Sequence, residues 1–164
     1  MDQSDTEKFC EQLRGFPNAM LITKADEGKL RARPMAIAEV EDSGRFYFLT
    51  ARETAKVHEI ETDSLIHVAC QSDQSLYLSI NGLATLSNDP AKIESVWKES
   101  FKPWFPEGPT DPDIALIAVS PIDAEYWDTR GAKKLDYLWE VASAYVTGTT
   151  PDIDEGEQHG TLRP

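Results

Sequence analysis

Hydrophobic positions fall into short stretches that turn-forming residues separate, and the spacing within each stretch predicts its structure. Phe9, Leu13 and Phe16 recur at helical intervals after the capping-box pattern of residues 4–7, which predicts an amphipathic first helix that ends near Gly15. The stretches that follow are shorter, and several of them alternate with a period of two. This pattern predicts a protein built mainly from strands, with helices at the margins.

Six stretches are predicted to be strands. They cover residues 19–23, 31–40, 45–50, 65–70, 75–86 and 114–126, the last with an interruption at Pro121. In the second strand, Pro34 cannot donate a ladder hydrogen bond and belongs at an edge or a bulge, which leaves free backbone near Arg33 and Met35. The third strand is expected to place Phe46, Phe48 and Thr50 on one face.

Helices are predicted in three further places. Thr54 is expected to cap a short helix that packs Val57 and Ile60 inward. The tripeptide at residues 88–90 has proline at the first helical position and predicts a second helix. After Gly131, apolar residues at helical spacing predict a terminal helix that ends at Gly148.

Strands joined mostly by turns favour an antiparallel barrel or open sheet over a doubly wound parallel sheet. At 164 residues the chain suits one domain, predicted to span residues 1–148. Residues 149–164 have little to bury and are predicted to be a disordered tail. Neither GxGxxG nor GxxxxGK[ST] occurs, so any nucleotide has to be held in another way.

The charge is distributed unevenly along the chain. Residues 29–56 contain six basic and four acidic residues, a local balance of +2 in a chain of net charge −13, so the remainder carries −15. Nucleic acids and anionic membranes require a basic footprint, so neither is an expected partner. A small anion, by contrast, could bind within this one basic segment.

Several other classes of protein do not fit the sequence. The apolar stretches are too short to span a bilayer, and the acidic first residues lack a secretory pattern, which favours a cytoplasmic location. Cys10 and Cys70 form no close pair, and the three histidines have no metal-ligand spacing, so no metal site is expected. No set of nucleophile, base and orienting residue suggests hydrolysis, and no catalytic residue can be assigned.

The end of the third strand carries the best candidate for an anion site. Thr54 and Lys56 lie where this strand becomes a helix, and a helix start offers free backbone N–H groups and a favourable dipole. Arg33 can offer a planar fork from the neighbouring strand. The alternative for the first pair is a capping threonine among solvated charges, and Arg33 could equally be a solvated edge residue.

These segments resemble the general stress protein 26 family, which belongs to the FMN-binding split-barrel group related to pyridoxamine 5′-phosphate oxidases. The resemblance rests on an ordered set of motifs that extends over residues 5–147. They are Arg33–Ala36, Phe46–Thr50 with Lys56, Ser79–Ala84, Asp89–Ile93 with Trp97, Trp104–Pro109 with Asp111 and Pro112, and Glu125–Asp128.

The resemblance implies a six-stranded antiparallel split barrel with flanking helices, a homodimer, and FMN at the subunit interface. It implies that Arg33, Pro34 and Met35 line the flavin and its phosphate and that Thr54 and Lys56 hold the phosphate. The other implied contacts of the ring are Phe48, Leu49, Thr50, Tyr77, Ser79 and, from the partner subunit, Trp104. Packing in the core or at the interface is the alternative role for Trp104.

The function expected from the resemblance is an FMN-dependent oxidoreductase of the stress-protein type. The chain lacks the complete arginine-rich substrate motifs of true pyridoxamine phosphate oxidases, which argues against vitamin B6 oxidation. Tyr77 stands where those oxidases favour an amide side chain, so its implied contact with the ring departs from their pattern. A non-catalytic flavin carrier and a structural or regulatory dimer without ligand remain as alternatives. Related barrels also bind other flavins, deazaflavin or haem, and these remain alternative cofactors.

Overall fold

The computed structural model of the chain describes residues 3–72, 75–128 and 159–164. The helices in this part of the chain are α1 (Gln3–Arg14), α2 (Ala55–Thr62) and α3 (Pro90–Val96). The strands are β1 (Asn18–Lys24), β2 (Leu30–Val40), β3 (Phe46–Ala51), β4 (Leu65–Gln71), β5 (Leu76–Ser87), β6 (Ile114–Asp128) and β7 (His159–Leu162). Short 3-10 turns occupy residues 26–28, 99–101 and 108–110.

The first six strands form a closed antiparallel barrel. Their order in the sheet is β3-β2-β1-β4-β5-β6, and β6 pairs back onto β3 along the whole length of β3. The fifteen residues of β6 allow this closure, because residues 114–119 pair with β3 on one side while residues 116–128 pair with β5 on the other. The prediction of a six-stranded antiparallel barrel with flanking helices is confirmed.

Gly82 marks an irregularity between β5 and β6 that sequence analysis had placed at Pro121. The register shifts between Asn81 and Gly82, and Gly82 then pairs with Pro121. A Cβ atom on Gly82 would lie 2.8 Å from Val119 Cγ1, so the strands approach too closely here for a larger residue. Such a bulge bends a strand, which allows β6 to pair with both β3 and β5.

The closed barrel has a partial opening between β2 and β3, which pair over only part of their length. Their ladder runs from Val40–Phe46 to Ile37–Phe48, and beyond this pair the strands separate. Residues 31–36 of β2 then pair only with β1, and residues 49–51 of β3 pair with β6. Pro34 lies in this unpaired stretch of β2, as predicted, and its missing N–H therefore breaks no ladder between β2 and β3. We call the opening the split.

Two hydrophobic cores stabilise this arrangement. The larger core fills the barrel, with α1 covering one end through Phe9 and Leu13, which are fully buried beside Phe46 and Phe48. The smaller core lies outside the barrel, where α3 and the loop after it pack on the other face of β3. Each face of β3 therefore faces a core, which explains why all but the last of its six residues are buried.

Most predicted elements occur where the hydrophobic pattern placed them. The helix at α2 buries Val57 and Ile60, and α3 begins with Pro90 after Asp89, whose carboxylate accepts a hydrogen bond from the Ala91 N–H. The predicted helix after Gly131 and most of the predicted tail lie outside the described residues. For residues 159–162 the prediction of a disordered tail is wrong, because they form β7 on the edge of β6 and bury Leu162 in the barrel core.

Candidate functional site

A cluster of cationic side chains lies at the split, where α2 packs against the barrel. Arg33 comes from β2, and Lys56 comes from the first turn of α2. Lys56 Nζ donates a hydrogen bond of 2.9 Å to Thr50 Oγ1 at the end of β3. The two segments that the sequence suggested as an anion site are therefore brought together, because the split lets α2 reach β2 and β3 at the same point.

Glu59 organises the arginines of this cluster. Its Oε2 atom accepts a 2.7 Å hydrogen bond from Arg33 Nη2, and its Oε1 atom accepts one of 3.1 Å from Arg31 Nη1. The Thr23 hydroxyl donates to the same carboxylate and accepts from Arg33 Nη1. Arg33 is thereby held with its guanidinium against the barrel, and its side chain is only 19% exposed.

The pKa of Glu59 reflects these contacts. Burial favours the neutral carboxyl group and on its own would raise the pKa. The hydrogen bonds from Thr23 and Arg33 and the charges of Arg33 and Arg31 outweigh burial and hold the pKa below its ordinary value. Glu59 is therefore a carboxylate at neutral pH and neutralises one of the positive charges around it.

Lys56 is the cation of the cluster without such a partner. Burial and the nearby charge of Arg33 lower its pKa, and the charge of Glu59 opposes this shift only in part. Within the described residues, no carboxylate forms an ion pair with Lys56. Three positive side chains, Arg31, Arg33 and Lys56, thus face the single negative charge of Glu59, which leaves two positive charges unbalanced.

Thr54 occupies the capping position of α2 but does not cap it. Its backbone is extended, as expected of a cap, yet its hydroxyl donates to Ala51 O at 2.9 Å and accepts no hydrogen bond from the helix. The first turn of α2 therefore has no side-chain cap. The Val57 and His58 N–H groups donate to Thr54 O, so the amide groups of the first two helical residues, Ala55 and Lys56, are the ones that can serve an anion. Together with the unbalanced charge, this donor set suits a doubly charged phosphate group.

A groove of about 400 Å³ runs across the outer face of the barrel beside the split. Pro34, Met20, Tyr77, Ser79 and Trp127 line it, on strands β2, β1, β5 and β6. Pro34 follows Arg33 on β2, and side chains of successive strand residues point to opposite faces. The groove and the cation cluster are thus separated only by the thickness of β2.

The remaining predicted site residues lie in other surroundings. Phe48 and Leu49 are buried in the two cores, and Met35 packs against the barrel core, so within this chain only their backbone or edges could border a ligand at the split. Trp104 is 72% exposed and lines a separate cleft of about 460 Å³ with Ala36 and Phe101. One subunit therefore does not gather all eleven predicted residues around a single cavity.

Sequence reasoning missed several residues that the structure adds to the site. Glu59 and Thr23 were assigned no role, and Arg31 was counted in the basic segment without being assigned to the site. A usable signal existed, because Arg31 shares a strand face with Arg33, and Glu59 follows Lys56 by three positions on one side of a helix.

A chain of polar side chains beside the groove was also missed. His67, Asn81 and Asp123 occupy adjacent positions on β4, β5 and β6 and are joined by hydrogen bonds. Only the pairing register brings them together, and sequence spacing does not reveal that register.

The outer face of the barrel also exposes large apolar side chains. Leu30, Leu65 and Leu83 are 73%, 53% and 45% exposed, and Met20 and Tyr77 are about as exposed as Leu83. They project from the same outer side of strands β2, β1, β4 and β5, next to the groove. Several large exposed apolar side chains on one face are typical of an interface. We call these five residues the apolar face.

Two other kinds of site receive no support from the described residues. In this part of the chain no three histidine, cysteine, aspartate or glutamate side chains are grouped so that they could hold a metal ion. None of the helices that the structure describes is long and apolar enough to cross a membrane.

Comparison with known proteins places this geometry in a family. The family model described as pyridoxamine 5′-phosphate oxidase like matches residues 4–152. General stress protein 26 of Bacillus subtilis (strain 168) is 24% identical over 127 residues, which cover 75% of this chain and 89% of that protein.

Solved structures agree with the sequence matches. The crystal structure of a protein assigned as general stress protein 26 from Jannaschia sp. CCS1 is 25% identical, covers 98% of both chains and superposes with a TM-score of 0.72. The general stress FMN/FAD binding protein of Xanthomonas citri is 28% identical, with coverage of 79% of this chain and 92% of that chain and a TM-score of 0.67.

Proposed function

Because the chain belongs to the pyridoxamine 5′-phosphate oxidase-like family, we propose that it binds FMN and acts as a flavin-dependent oxidoreductase of the general stress protein 26 type. The cation cluster at the split holds the phosphate, and the groove beside it receives the ring system. The similarity to a protein described as FMN/FAD binding supports a flavin as the ligand.

The unbalanced charge around Lys56 is the observation that carries this proposal. A half-buried lysine whose pKa is lowered by burial and by a neighbouring arginine is unfavourable in the empty protein. A phosphate dianion at this point would restore the charge balance with Arg33 and Lys56. Charge-assisted hydrogen bonds of this kind are about twice as strong as neutral ones. The cost of the cluster is thus offset when an anion binds.

The residues of the groove fit the ring of such a ligand. The walls are mostly apolar, with polar atoms only at a few points such as Ser79, which is the composition typical of small-molecule sites. A bound flavin would supply the transfer of electrons, while the protein supplies binding, orientation and electrostatic tuning. Arg33 and the free backbone at the split are the groups of this chain that could stabilise negative charge on the ligand.

We further propose that the site is completed in a homodimer through the apolar face. Met20 and Tyr77 of the apolar face line the groove, and the three leucines lie on the same outer side of the barrel. A second copy packed on this side would cover a ligand in the groove and bury the exposed leucines. Trp104 lies in a different cleft of its own subunit. The role implied for it by the resemblance, covering the ring, would then be fulfilled from the partner.

Titration of the purified apoprotein with FMN, riboflavin and FAD tests the proposal. The phosphate cluster predicts that FMN binds at least tenfold more tightly than riboflavin, because charge-assisted hydrogen bonds contribute about 1.5 to 3 kcal/mol. Equal affinities for FMN and riboflavin would mean that the cation cluster does not bind the phosphate group. FAD, which carries a second phosphate and an adenosine, reports whether the site admits an extended ligand.

Anaerobic mixing of the FMN complex with NADH or NADPH then separates enzyme from carrier. Rapid bleaching of the flavin absorbance would support an oxidoreductase. Bound flavin that neither nicotinamide reduces rapidly would favour the alternative of a flavin carrier. Absence of saturable FMN binding would leave the structural or regulatory dimer.

A further inference from the structure

A hydrogen-bonded chain of four side chains crosses three strands and ends in the groove. Asp123 on β6 accepts a 2.8 Å hydrogen bond from Asn81 Nδ2 on β5. Asn81 Oδ1 lies 3.0 Å from His67 Nδ1 on β4, and His67 Nε2 lies 3.4 Å from Ser79 Oγ on β5. Ser79 lines the groove, and the other three side chains lie beside it on the same outer face of the barrel.

The order of donors and acceptors along this chain follows from Asp123, the residue at the end away from the groove. A carboxylate only accepts hydrogen bonds, so the Asp123 oxygen requires the amide nitrogen of Asn81 to face it. The amide oxygen of Asn81 must then face His67 and accept the hydrogen of Nδ1. In a neutral imidazole the other ring nitrogen is an acceptor, so His67 Nε2 accepts the hydroxyl hydrogen of Ser79.

Ser79 is therefore left with only its oxygen lone pairs for a ligand. Its single hydrogen is engaged by His67, and a hydroxyl oxygen has two acceptor positions. A serine that could rotate freely would serve a donor or an acceptor equally well. The chain of His67, Asn81 and Asp123 removes this freedom.

We propose that this chain makes the Ser79 end of the groove an acceptor site, which selects ligands that present an N–H or O–H group there. If the proposed function holds and FMN binds in the groove, this acceptor determines whether the oxidised or the reduced form of FMN binds more tightly. A ring nitrogen without hydrogen in the oxidised flavin carries an N–H in the reduced flavin, so Ser79 favours the reduced form. His67 is a positioning residue that acts through Ser79, and Asn81 and Asp123 position His67.

The test compares the affinities of the protein for oxidised and reduced FMN. Dye-equilibrated titration of the FMN complex gives the ratio of the two affinities relative to free FMN. Ser79→Ala removes the acceptor, and His67→Leu frees the Ser79 hydrogen to serve the oxidised ring. Each variant is expected to reduce the preference for reduced FMN by roughly two- to tenfold, the range for one hydrogen bond.

A double variant shows whether His67 acts through Ser79. In the Ser79→Ala background, His67→Leu should change the ratio no further, because the hydroxyl that His67 orients is gone. His58→Gln, on the exposed side of α2 and paired with Glu61, is the matched control and should leave the ratio unchanged. A purely structural role would weaken both forms of FMN equally and would not move the ratio.

The outcomes separate this inference from the proposed function. If FMN binds but both single variants keep the wild-type ratio, the acceptor site is refuted while the flavin proposal stands. The inference is equally refuted if His67→Leu changes the ratio as much without Ser79 as with it. If neither form of FMN binds to the wild-type protein, the proposed function fails, and the inference fails with it.

Discussion

Arg33 Nη2 lies 2.7 Å from Glu59 Oε2, and this ion pair joins β2 to α2 at the point where β2 has separated from β3. Without the pair, the edge of the split would hold a nearly buried carboxylate next to an unpaired guanidinium. With it, Arg33 is held rigidly and Lys56 remains the cation free to meet a ligand. One contact thus stabilises the fold and prepares the candidate phosphate site.

Replacing Glu59 by glutamine should therefore destabilise the apoprotein at neutral pH. The change leaves Arg31, Arg33 and Lys56 without a negative charge among them, and removal of one partner from a buried ion pair is strongly destabilising. We expect the free energy of unfolding in urea to fall by about 3 to 5 kcal/mol. Glu61→Gln, on the exposed part of the same helix, should change it by less than about 0.5 kcal/mol.

The effect of Glu59→Gln should also depend on pH. Because the folded-state pKa of Glu59 is lowered, its carboxylate stabilises the fold above the ordinary glutamate pKa, and this contribution is lost as the pH falls through the folded-state value. The difference in unfolding free energy between wild type and Glu59→Gln should accordingly narrow as the pH falls below about 4. A difference that stays constant down to the acid limit would mean that the carboxylate charge is not what stabilises this site.

Lys56→Met should raise the free energy of unfolding of the apoprotein and lower its affinity for FMN. The folded-state pKa of Lys56 lies below its unfolded value, so the charged lysine opposes folding, and its neutral replacement should raise the unfolding free energy by about 0.5 to 1 kcal/mol. Loss of a charged hydrogen bond to phosphate should cost about 1.5 to 3 kcal/mol of FMN affinity. Riboflavin, which lacks the phosphate, should bind the variant and the wild type alike.

The matched control for Lys56→Met is Lys102→Met. Lys102 is exposed and lies 3.9 Å from Glu99, so its replacement should affect neither stability nor FMN binding by more than about 0.5 kcal/mol. Unchanged affinity for FMN in Lys56→Met would exclude Lys56 from the phosphate site.

Leu83→Lys should dissociate the proposed dimer. Leu83 belongs to the apolar face, and a lysine there would place a charge within the proposed interface. Sedimentation equilibrium should show a dimer for the wild type and a shift to monomer for the variant, with weaker FMN binding. Ser95→Lys, which adds the same charge on exposed α3, should remain dimeric. A wild-type monomer that binds FMN normally would contradict a site shared between subunits.

A mixed dimer can show whether Trp104 acts from the partner subunit. Trp104→Ala and Lys56→Met should each weaken FMN binding in their own homodimers. When the two variants are co-expressed with different tags, the purified mixed dimer has one site with both native residues if Trp104 reaches across the interface. It should then bind a single FMN with wild-type affinity. If Trp104 serves its own subunit, both sites of the mixed dimer remain defective.

The strands were predictable from sequence because burial alternates with side-chain direction. In β5, Leu76, Leu78 and Ile80 are buried while Tyr77 and Ser79 point outward, and a period of two is visible without a structure. The closure of the barrel was not visible in this way. It depends on pairing between β3 and β6, which are distant in the chain, and only the resemblance to a family implied it.

The candidate site was predictable in part, from the types of residue at the ends of two elements. Lys56 and Arg33 stand out as basic residues at a strand end and a helix start, and local rules suffice to suggest an anion. Thr54 shows where such rules fail, because its hydroxyl donates a hydrogen bond to the Ala51 carbonyl and does not accept one from the helix amides. Glu59 was missed because a glutamate in a surface helix is usually solvated, and only the tertiary fold turns it toward Arg33.

The C-terminal strand β7 lies in a segment that was predicted to be disordered, and its contribution to the fold can be tested directly. Leu162 is the one strongly apolar residue of β7, yet it is 2% exposed and packs in the barrel core. Leu162→Ala should lower the unfolding free energy by about 2 kcal/mol or more, as expected for a buried leucine. Thr161→Ala changes the exposed neighbour on the same strand and should cost less than about 1 kcal/mol. If urea unfolding shows equal losses for the two variants, β7 does not contribute its leucine to the core in solution.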